Sequence, residues 1–498
     1  MIATDTTFRL VKSLTKSEKR YFRLFASITE GEKNYMRIFD EMDKQSVYDE
    51  KKIKLKFKDK KFVNHFTYEK NYLQQMILKA LRNYNTGEEL NYIHALADIE
   101  ILMKKAIPEI ALPILKKYKQ RTIELENLAE YLVFSRSEMR FAAAMQQTDW
   151  FAEYVESGYK KDAEIIDRWK YSLFIITKYN ALNILKGKYK FIKNKEFLKE
   201  LDKMMREPLW NDLFNKVGVK GKIAWFNFFI LYNTLLKDYN TAYKYTNDQL
   251  AFIKDNNLSI ETIGFFNYPA LLISNIQTSS ILEKYEEVNE SCKQLYQLLE
   301  GKEYDKVPQI RNQYITTYFT AHINNLALWG KFEKCITFYQ DKKEIISALK
   351  NSAGNEFIIS VNYYLALSYF GLEQYDKALD YINLVLEHKN SEHYAIETVP
   401  AQVLYVMIHL ELGNREFIMN YLRTFKRYFS KQHIDIKTIN ALAKIFKEYI
   451  AVHHDKKKLQ ADAKKWLNTI HELQKDKDER IFLRNIMIDK WIMKAVSN

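Results

Sequence analysis

The histidines are the side chains of this chain that are best suited to binding a metal. Of the ten, His388 and His393 flank Glu392, and His453 and His454 are adjacent. Zinc hydrolases place two histidines four positions apart on one helical face with a glutamate between them, and no pair here has that spacing. We therefore expect solvated histidines, with His453 and His454 near a helix end, where positive charge suits the helix dipole. Neither a metal nor another cofactor is predicted.

Catalytic motifs of other classes are also missing. Residues 218–222, Gly-Val-Lys-Gly-Lys, superficially suggest a phosphate-binding loop, but Lys216 and Ile223 stand where that loop needs glycine and a hydroxyl residue. The two cysteines, Cys292 and Cys335, are too few for a disulfide framework, and we expect them as small core residues. No nucleophile elbow is present. The sequence predicts a protein that is not an enzyme.

The densest charged segment is basic and covers residues 51–62. Its seven lysines, which stand against one aspartate, are Lys51, Lys52, Lys54, Lys56, Lys58, Lys60 and Lys61. Such lysines can contact nucleic-acid phosphates. The nearby aromatic residues that could stack on bases are Phe57, Phe62, His65 and Phe66. Two other interpretations stay open: an acidic protein partner, or a solvated face or loop that packs Ile53, Leu55 and Phe57 inward.

Residues that break helices are scarce along the chain. Among 498 residues there are 12 glycines and 6 prolines, whereas sheet-rich and nucleotide-binding folds need glycine at turns and phosphate loops. The length exceeds one compact core, so several domains or one extended array are expected. The net charge of +14 indicates either a polyanion-binding surface or lysines spread over solvated helix faces. The composition predicts an all-α protein.

A helix-turn-helix pattern recurs in the second half of the chain. A copy has an aromatic residue at the start of its second helix, a small residue three positions later and an apolar residue four beyond that, as in Tyr375, Ala378 and Ile382; in the last copy Arg415 replaces the aromatic residue. The small residue lets the two helices approach closely, and the aromatic residue fills the gap to the next pair. The predicted second-helix starts, which are 46, 47, 43 and 40 residues apart, are Tyr239, Tyr285, Phe332, Tyr375 and Arg415.

This pattern resembles the tetratricopeptide repeat. In the best copy the matching positions hold Leu365, Ala366, Tyr369, Ala378, Ile382 and Val385. The other copies match in part, and their periods exceed the 34 residues typical of that repeat, which implies longer helices or loops. The whole chain, from Ser13–Phe22 through Arg206–Leu209 to the copy at Tyr375, also looks like a group of uncharacterised bacterial helical-repeat proteins. The resemblance implies a right-handed superhelical solenoid of helix pairs and brings no activity with it.

The resemblance also implies a binding site, because the first helix of each tetratricopeptide pair lines a concave groove. The residues that map to this groove are Asn227, Gln277, Asn324, Tyr363 and Tyr364. Amides in such a place can bind a peptide backbone. The groove's C-terminal part is apolar and would hold a partner helix or another part of this chain; it maps to Leu367, Phe370, Leu404 and Met407. The alternative is that all these side chains face solvent or pack within the array.

Two domains are expected, residues 1–86 and residues 87–498. In the first, a capping box at Thr15 and Glu18 opens a helix, and further helices cover residues 35–42 and 62–84. The predicted apolar face of the last one consists of Phe66, Tyr68, Tyr72, Leu73, Met76, Ile77, Ala80 and Leu81. The second domain is the repeat array, with earlier helices at roughly 118–145, 161–186 and 195–205 and capping helices at its end.

The expected setting is the cytoplasm. No window approaches the roughly 18 apolar residues of a membrane span, and the N-terminus lacks an apolar signal region. We expect a non-catalytic scaffold or adaptor that binds a protein or peptide through the concave face of the array. The alternative is a nucleic-acid-associated regulator that contacts phosphates through residues 51–62.

Overall fold

The computed structural model describes residues 5–28, 33–85, 87–144, 149, 152, 154–188, 195–301, 304–387, 395–430 and 436–497. Within these ranges every regular element is a helix and there is no β-strand, which confirms the all-α class. None of the helices in the same ranges combines the length and apolar character of a membrane span. The chain divides into two compact units, Met1–Ile166 and Asp167–Asn498.

The first unit begins with five helices, which we call the N-terminal module (residues 1–86). They are α1 (Thr6–Ser13), α2 (Lys16–Ser27), α3 (Asn34–Lys44), α4 (Glu50–Lys56) and α5 (Phe66–Tyr84). The expected capping box opens α2: Thr15 Oγ1 accepts from the Glu18 N–H, and Glu18 accepts from the Thr15 N–H at 2.8 Å. One hydrophobic core, made of residues between Phe8 and Leu81, holds the module together.

The orientation of α5 differs from the expected one. Phe66, Leu73 and Ile77 point into the module core. Tyr68 and Tyr72, which the sequence analysis places on the same apolar face, are instead 69% and 39% exposed. At 100° per residue both tyrosines lie on the opposite side of the helix from that buried stripe. The prediction for these two side chains is therefore wrong.

Three more helices complete the described part of the first unit. They are α6 (Glu88–Lys104), α7 (Pro108–Glu124) and α8 (Leu128–Ala144). Pro108 occupies the first turn of α7, and Ala111 is fully buried. The single helix expected over 118–145 is wrong, because Glu126 adopts a positive φ of 50° and the Asn127 N–H caps α7 at the Thr122 carbonyl.

The second unit contains the repeats. A long helix, α9 (Tyr159–Lys188), starts before this unit and continues into it. The helices that follow are α10 (Lys195–Met205), α11 (Leu213–Lys216), α12 (Val219–Leu235), α13 (Tyr239–Asp255), α14 (Ile260–Ile263), α15 (Asn267–Ile281), α16 (Tyr285–Leu299) and α17 (Pro308–Leu328). The remaining helices are α18 (Phe332–Gly371), α19 (Tyr375–Leu386), α20 (Ala395–Glu411), α21 (Arg415–Ser430), α22 (Ile436–Val452), α23 (Lys456–Leu473), α24 (Lys477–Asn485) and α25 (Ile488–Ser497). Gly354, with φ 76°, interrupts α18, so its two halves belong to successive pairs.

Five hairpins of the second unit share one turn geometry. Two positions after the end of each first helix stands a residue with positive φ, and these residues are Lys237, Glu283, Gly330, Glu373 and Gly413. In every case the N–H of the next residue donates to the carbonyl five positions earlier at 2.9 Å, which is the longer bond of a Schellman motif. The second helices then begin at Tyr239, Tyr285, Phe332, Tyr375 and Arg415, which confirms all five expected starts.

The packing role expected of the repeat residues is also observed. Three positions into each second helix stands a side chain that is at most 1% exposed: Ala242, Val288, Cys335, Ala378 and Ile418. Between pairs, the ring of Tyr285 stacks on Trp329 with centroids 6.1 Å apart. Phe332 lies against Gly371, where an added β-carbon would stand 2.2 Å from the ring. A buried residue therefore closes each of the five hairpins internally, and the aromatic residues Tyr285 and Phe332 pack against the neighbouring pair.

The last two helices run along the turns of the hairpins. Lys477 Nζ donates to the Lys237 carbonyl at 3.2 Å, and Arg480 pairs with Glu283 at 3.4 Å. Lys494 pairs with Glu373 at 2.9 Å. Their apolar side packs on the final pair, α22 and α23, through Leu483, Ile486, Ile488, Trp491 and Ile492. The C-terminal helices thus do more than cap the last pair, because they also reach the turns of earlier pairs.

Gly371→Ala tests the contact between successive pairs. The added methyl group would overlap the Phe332 ring, so we expect the second unit to lose about 1–3 kcal/mol of stability from overpacking. Gly187→Ala is the matched control, because nothing in the described structure lies within 4 Å of a β-carbon there. That change should leave stability unchanged or raise it by up to about 1 kcal/mol. Urea unfolding followed by circular dichroism measures both, and equal transitions for the two variants would contradict the contact.

Candidate functional site

The described histidines and acidic residues do not assemble into a metal site. No group of three or more His, Cys, Asp or Glu side chains with suitable placement occurs in the described ranges. His388 and His393 lie outside them. His453 directly follows the end of α22, and its Nδ1 donates to the Ile450 carbonyl at 2.8 Å, which confirms its expected place near a helix end.

The two cysteines are core residues, as expected. Both are fully buried, Cys292 on α16 and Cys335 on α18. Burial raises the pKa of Cys292 to about 12 and that of Cys335 to about 11. Because the thiolate is the reactive form, both sulfur atoms are chemically inert near neutral pH. Gly221, from the loop-like segment at 218–222, lies within α12, where a β-carbon would stand 2.5 Å from the Val217 side chain.

Two of the five residues mapped to the groove are buried. Tyr363 is 1% exposed, and its hydroxyl donates to the Asn485 carbonyl at 2.8 Å. Tyr364 is 5% exposed, and its hydroxyl accepts from Asn324 Nδ2 at 2.9 Å. The first bond joins α18 to the distant helix α24, and the second joins α18 to the preceding helix α17, so both tyrosines stabilise the packing of the chain itself.

The other mapped residues keep contact with solvent. Asn227 is half-buried, and its side-chain oxygen accepts from Gln249 Nε2 at 3.1 Å. Asn324 is also half-buried, whereas Gln277 on α15 is exposed and makes no hydrogen bond in the described structure. The five residues are not brought together into one cluster of mutual hydrogen bonds. The mapped residues that remain accessible to solvent therefore lie on α12, α15 and α17.

The apolar residues mapped to the C-terminal part of the expected groove pack within the chain. Leu367, Leu404 and Met407 are fully buried, and Phe370 is half-buried. Met407 belongs to the same hydrophobic core as Trp491 and Ile492 of the last helix. Packing within the array is one of the alternatives that the sequence analysis leaves open for these side chains.

The basic segment folds partly as a helix. Asp49 caps α4 by accepting from the Lys52 N–H at 2.9 Å. The helical period turns Ile53 inward, leaves Phe57 half-buried and leaves Leu55 72% exposed. The expected inward packing is thus right for Ile53, partial for Phe57 and wrong for Leu55, because that interpretation treated the segment as a loop.

Acidic neighbours neutralise two of the seven lysines. Lys54 pairs with Glu50 at 2.8 Å, and Lys56 pairs with Glu41 at 2.7 Å. Burial alone would raise the pKa of Glu50, but hydrogen bonds from Lys54, Lys70 and Tyr48 lower it to about 2. The same competition, with Lys56 and Lys44 as donors, lowers the pKa of Glu41. The ion pairs of these lysines therefore stabilise the module itself.

Other cations of the module stay available. Lys51, Lys52, Lys58 and Lys61 are exposed and have no ion-pair partner in the described structure; Lys60 is exposed too. The module has 19 Lys and Arg against 11 Asp and Glu, a net charge of +8 of the chain's +14. The exposed cations therefore coincide with the most basic part of the sequence.

Most aromatic residues expected to stack on bases are inside the module. Phe62 and Phe66 are 6% and 2% exposed, and Phe57 packs on Phe62 with ring centroids 5.6 Å apart. His65 is exposed. Three aromatic side chains on α5 reach solvent: Tyr84, and also Tyr68 and Tyr72, which the sequence analysis assigned to the core. A strict count of the period from Phe66 and Leu73 could have found them.

Comparisons of the chain with protein-family models, curated proteins and solved structures return no match. The class that the structure defines is an all-α protein of many packed helices, several of them in hairpins with a common turn. Its function has to be inferred from the surfaces described above.

One half-buried histidine is expected to give the second unit a pH-dependent stability. The His322 ring on α17 contacts Phe338 edge-on with ring centroids 4.4 Å apart, and its Nδ1 has no hydrogen-bond partner in the described structure. Burial lowers the pKa of His322 from 6.5 to about 4. Since the unfolded chain binds the proton first, this residue costs stability as the pH falls from about 6.5 to about 4.

His322→Phe should remove this dependence while keeping an aromatic ring in place. Between pH 6.5 and pH 4 the wild type should lose up to about 1.4 kcal/mol per pH unit more than the variant does. Urea unfolding of both proteins at half-unit steps of pH measures the difference. Parallel stability profiles would mean that the imidazole binds its proton as readily in the folded protein as in the unfolded chain.

Proposed function

We propose that the hairpins between Val219 and Leu473 form a right-handed superhelical solenoid of tetratricopeptide-like pairs, and that the protein is a non-catalytic cytoplasmic scaffold for a protein or peptide. One observation carries the proposal: five hairpins share the same turn bond and the same buried position, 40 to 47 residues apart. Units of this kind bury their faces by stacking on neighbours. Stacked pairs offer an extended surface on which a partner binds without a cofactor.

The proposed binding surface is the accessible side of the first helices α12, α15 and α17. Asn227, Gln277 and Asn324 lie on these three helices, one on each, and all keep some exposure. The exposed Gln277 amide offers both a donor and an acceptor to a peptide backbone. Tyr363 and Tyr364 are assigned a structural role, since their hydroxyl groups are engaged within the chain.

Gln277→Arg tests this surface, and Gln297→Arg is the matched control. Both glutamines are exposed and belong to the same pair, Gln277 to its first helix and Gln297 to its second. Affinity capture from nuclease-treated native lysate, quantified by mass spectrometry, should show the partner depleted at least about tenfold by Gln277→Arg only. Equal recovery with both variants would rule out the first-helix surface.

A second candidate function is nucleic-acid binding by the N-terminal module. The observation that favours it is the set of exposed, unpaired cations Lys51, Lys52, Lys58 and Lys61 within a module of net charge +8. Lysines in this state can replace the counterions of a phosphate backbone, whereas ion-paired lysines would first lose their partners. Lys54 and Lys56 are therefore removed from the set that the sequence suggested, and Lys60 remains an exposed member of it.

Charge reversal of these four lysines tests the second candidate. Changing Lys51, Lys52, Lys58 and Lys61 to Glu should abolish a salt-sensitive shift of labelled DNA, because up to four phosphate contacts are lost. The control variant carries the same charge change on exposed lysines of α22 and α23: Lys447, Lys456, Lys457 and Lys464. Fluorescence anisotropy with the full chain measures both variants. Binding that survives the first set, or that the control set abolishes equally, would contradict a role for this segment.

A further inference from the structure

One face of α5 is exposed along the whole helix. Its residues, which follow one another at helical spacing, are Tyr68, Asn71, Tyr72, Gln75, Lys79 and Arg82. All six are exposed. We call this set the outer face of α5. It contains two cations, two amides and two tyrosines, and it contains no carboxylate.

The polar groups of the outer face are not used inside the protein. Lys79 and Arg82 have no ion-pair partner, and Asn71 and Gln75 make no hydrogen bond, in the part of the chain that the structure describes. Elsewhere in the module several acidic residues are paired: Asp43 with Lys19 at 2.6 Å, for example, and Glu50 with Lys70 at 2.7 Å. The outer face therefore presents unsatisfied donors and acceptors together with uncompensated positive charge.

Packing of the opposite side of α5 against the module core holds the outer face in a fixed orientation. Phe66, Leu73 and Ile77 are at most 2% exposed and anchor the helix in the module core. Tyr72 is held from the side by Tyr35, with ring centroids 5.3 Å apart in an edge-on arrangement. Since the anchored side is fixed by packing, the outer face is presented without a large loss of conformational freedom on binding.

We propose that the outer face of α5 enters the major groove of double-stranded DNA, with Asn71 and Gln75 against base edges and Lys79 and Arg82 against phosphates. This inference rests on the second candidate function and names its recognition helix. An α-helix fits the major groove, and Asn and Gln pair there with adenine edges. The stripe from residue 68 to residue 82 is roughly 21 Å long at 1.5 Å per residue.

Cations also flank both ends of the helix. Lys58 and Lys61 are exposed just before α5 in the sequence. At the other end, Tyr84 contacts Tyr21 of α2 with ring centroids 5.1 Å apart, which brings the exposed Arg20 to that side. Phosphate contacts on either side of an inserted helix are the usual way in which register on the duplex is set.

The shape and composition of the face favour duplex DNA over other polyanions. A single strand needs a groove of the protein to lie in, whereas the outer face is the convex side of one helix. A membrane-surface helix needs large apolar side chains on its buried face, whereas this face carries amides and charged groups. Charge complementarity and the amide pair together indicate the groove of a duplex.

Anisotropy titrations of the full chain with a labelled mixed-sequence 20-bp duplex test the proposal. Lys79→Glu with Arg82→Glu should weaken binding at least about tenfold and reduce the slope of log K against log salt by about 2. Lys456→Glu with Lys457→Glu has the same charge change on exposed residues of α23 and should stay within about twofold of the wild type. Circular dichroism establishes that both variants are folded.

Sequence selection separates base reading from phosphate contact. Asn71→Ala with Gln75→Ala should keep mixed-sequence affinity within about threefold, but should lose the sequence preference that the wild type shows in selection from a randomised duplex pool. An unchanged preference in this variant, or unchanged affinity after the Lys79 and Arg82 reversal, overturns the assignment of α5 even though DNA binding itself stands.

Further probes distinguish the remaining outcomes. A wild-type chain that binds no nucleic acid removes the second candidate function and this inference with it. Binding to the single strand as tight as to the duplex, or binding to phosphatidylserine vesicles without binding to DNA, overturns the proposed groove insertion. Stronger binding to the duplex than to either of these probes supports it.

Discussion

Several first helices bury apolar residues on more than one side, and the packing of the second unit depends on covering them. In the second half of α18, every residue from 359 to 369 is buried, and α12 buries Ile223, Phe226, Phe228 and Ile230 on several of its sides. Such helices gain roughly 25 cal/mol for each square ångström of apolar surface removed from water. A hairpin covers one side only, so neighbouring pairs and a further element must cover the others.

The C-terminal helices supply that further element for the last pairs. They contribute apolar side chains to the core that contains Met407, and they contact the turns through basic side chains. Burial would lower the pKa of Lys494, but hydrogen bonds with Tyr375 and Glu373 raise it. Trp491 donates to Glu411 at 2.8 Å, and Lys490 Nζ lies beside Gly330. Because one segment contacts several turns, it links pairs that are far apart in the sequence.

The sequence predicts features that depend on residues close together in the chain, and it misses features that depend on contacts between residues far apart in the chain. The five second-helix starts follow from turn chemistry and from the aromatic and small residues, all within about eight positions of one another, and the structure confirms them. The burial of Tyr363 depends on Asn485, which is 122 residues away and belongs to no repeat copy. Tyr68 was misplaced for another reason: a tyrosine counts as apolar in a pattern, although its hydroxyl lets it lie at the surface.

The lysine-rich segment shows how helix phase decides which charges remain available. Asp49 starts α4, and the start sets the phase that turns Ile53 into the core. From that phase Lys54 reaches Glu50 and Lys56 reaches Glu41, whereas Lys51 and Lys52 are exposed and make no ion pair in the described structure. A count of charges along the sequence treats these lysines alike. Their ion pairs separate them, because a lysine that already stabilises the fold can bind a phosphate only by giving up that contact.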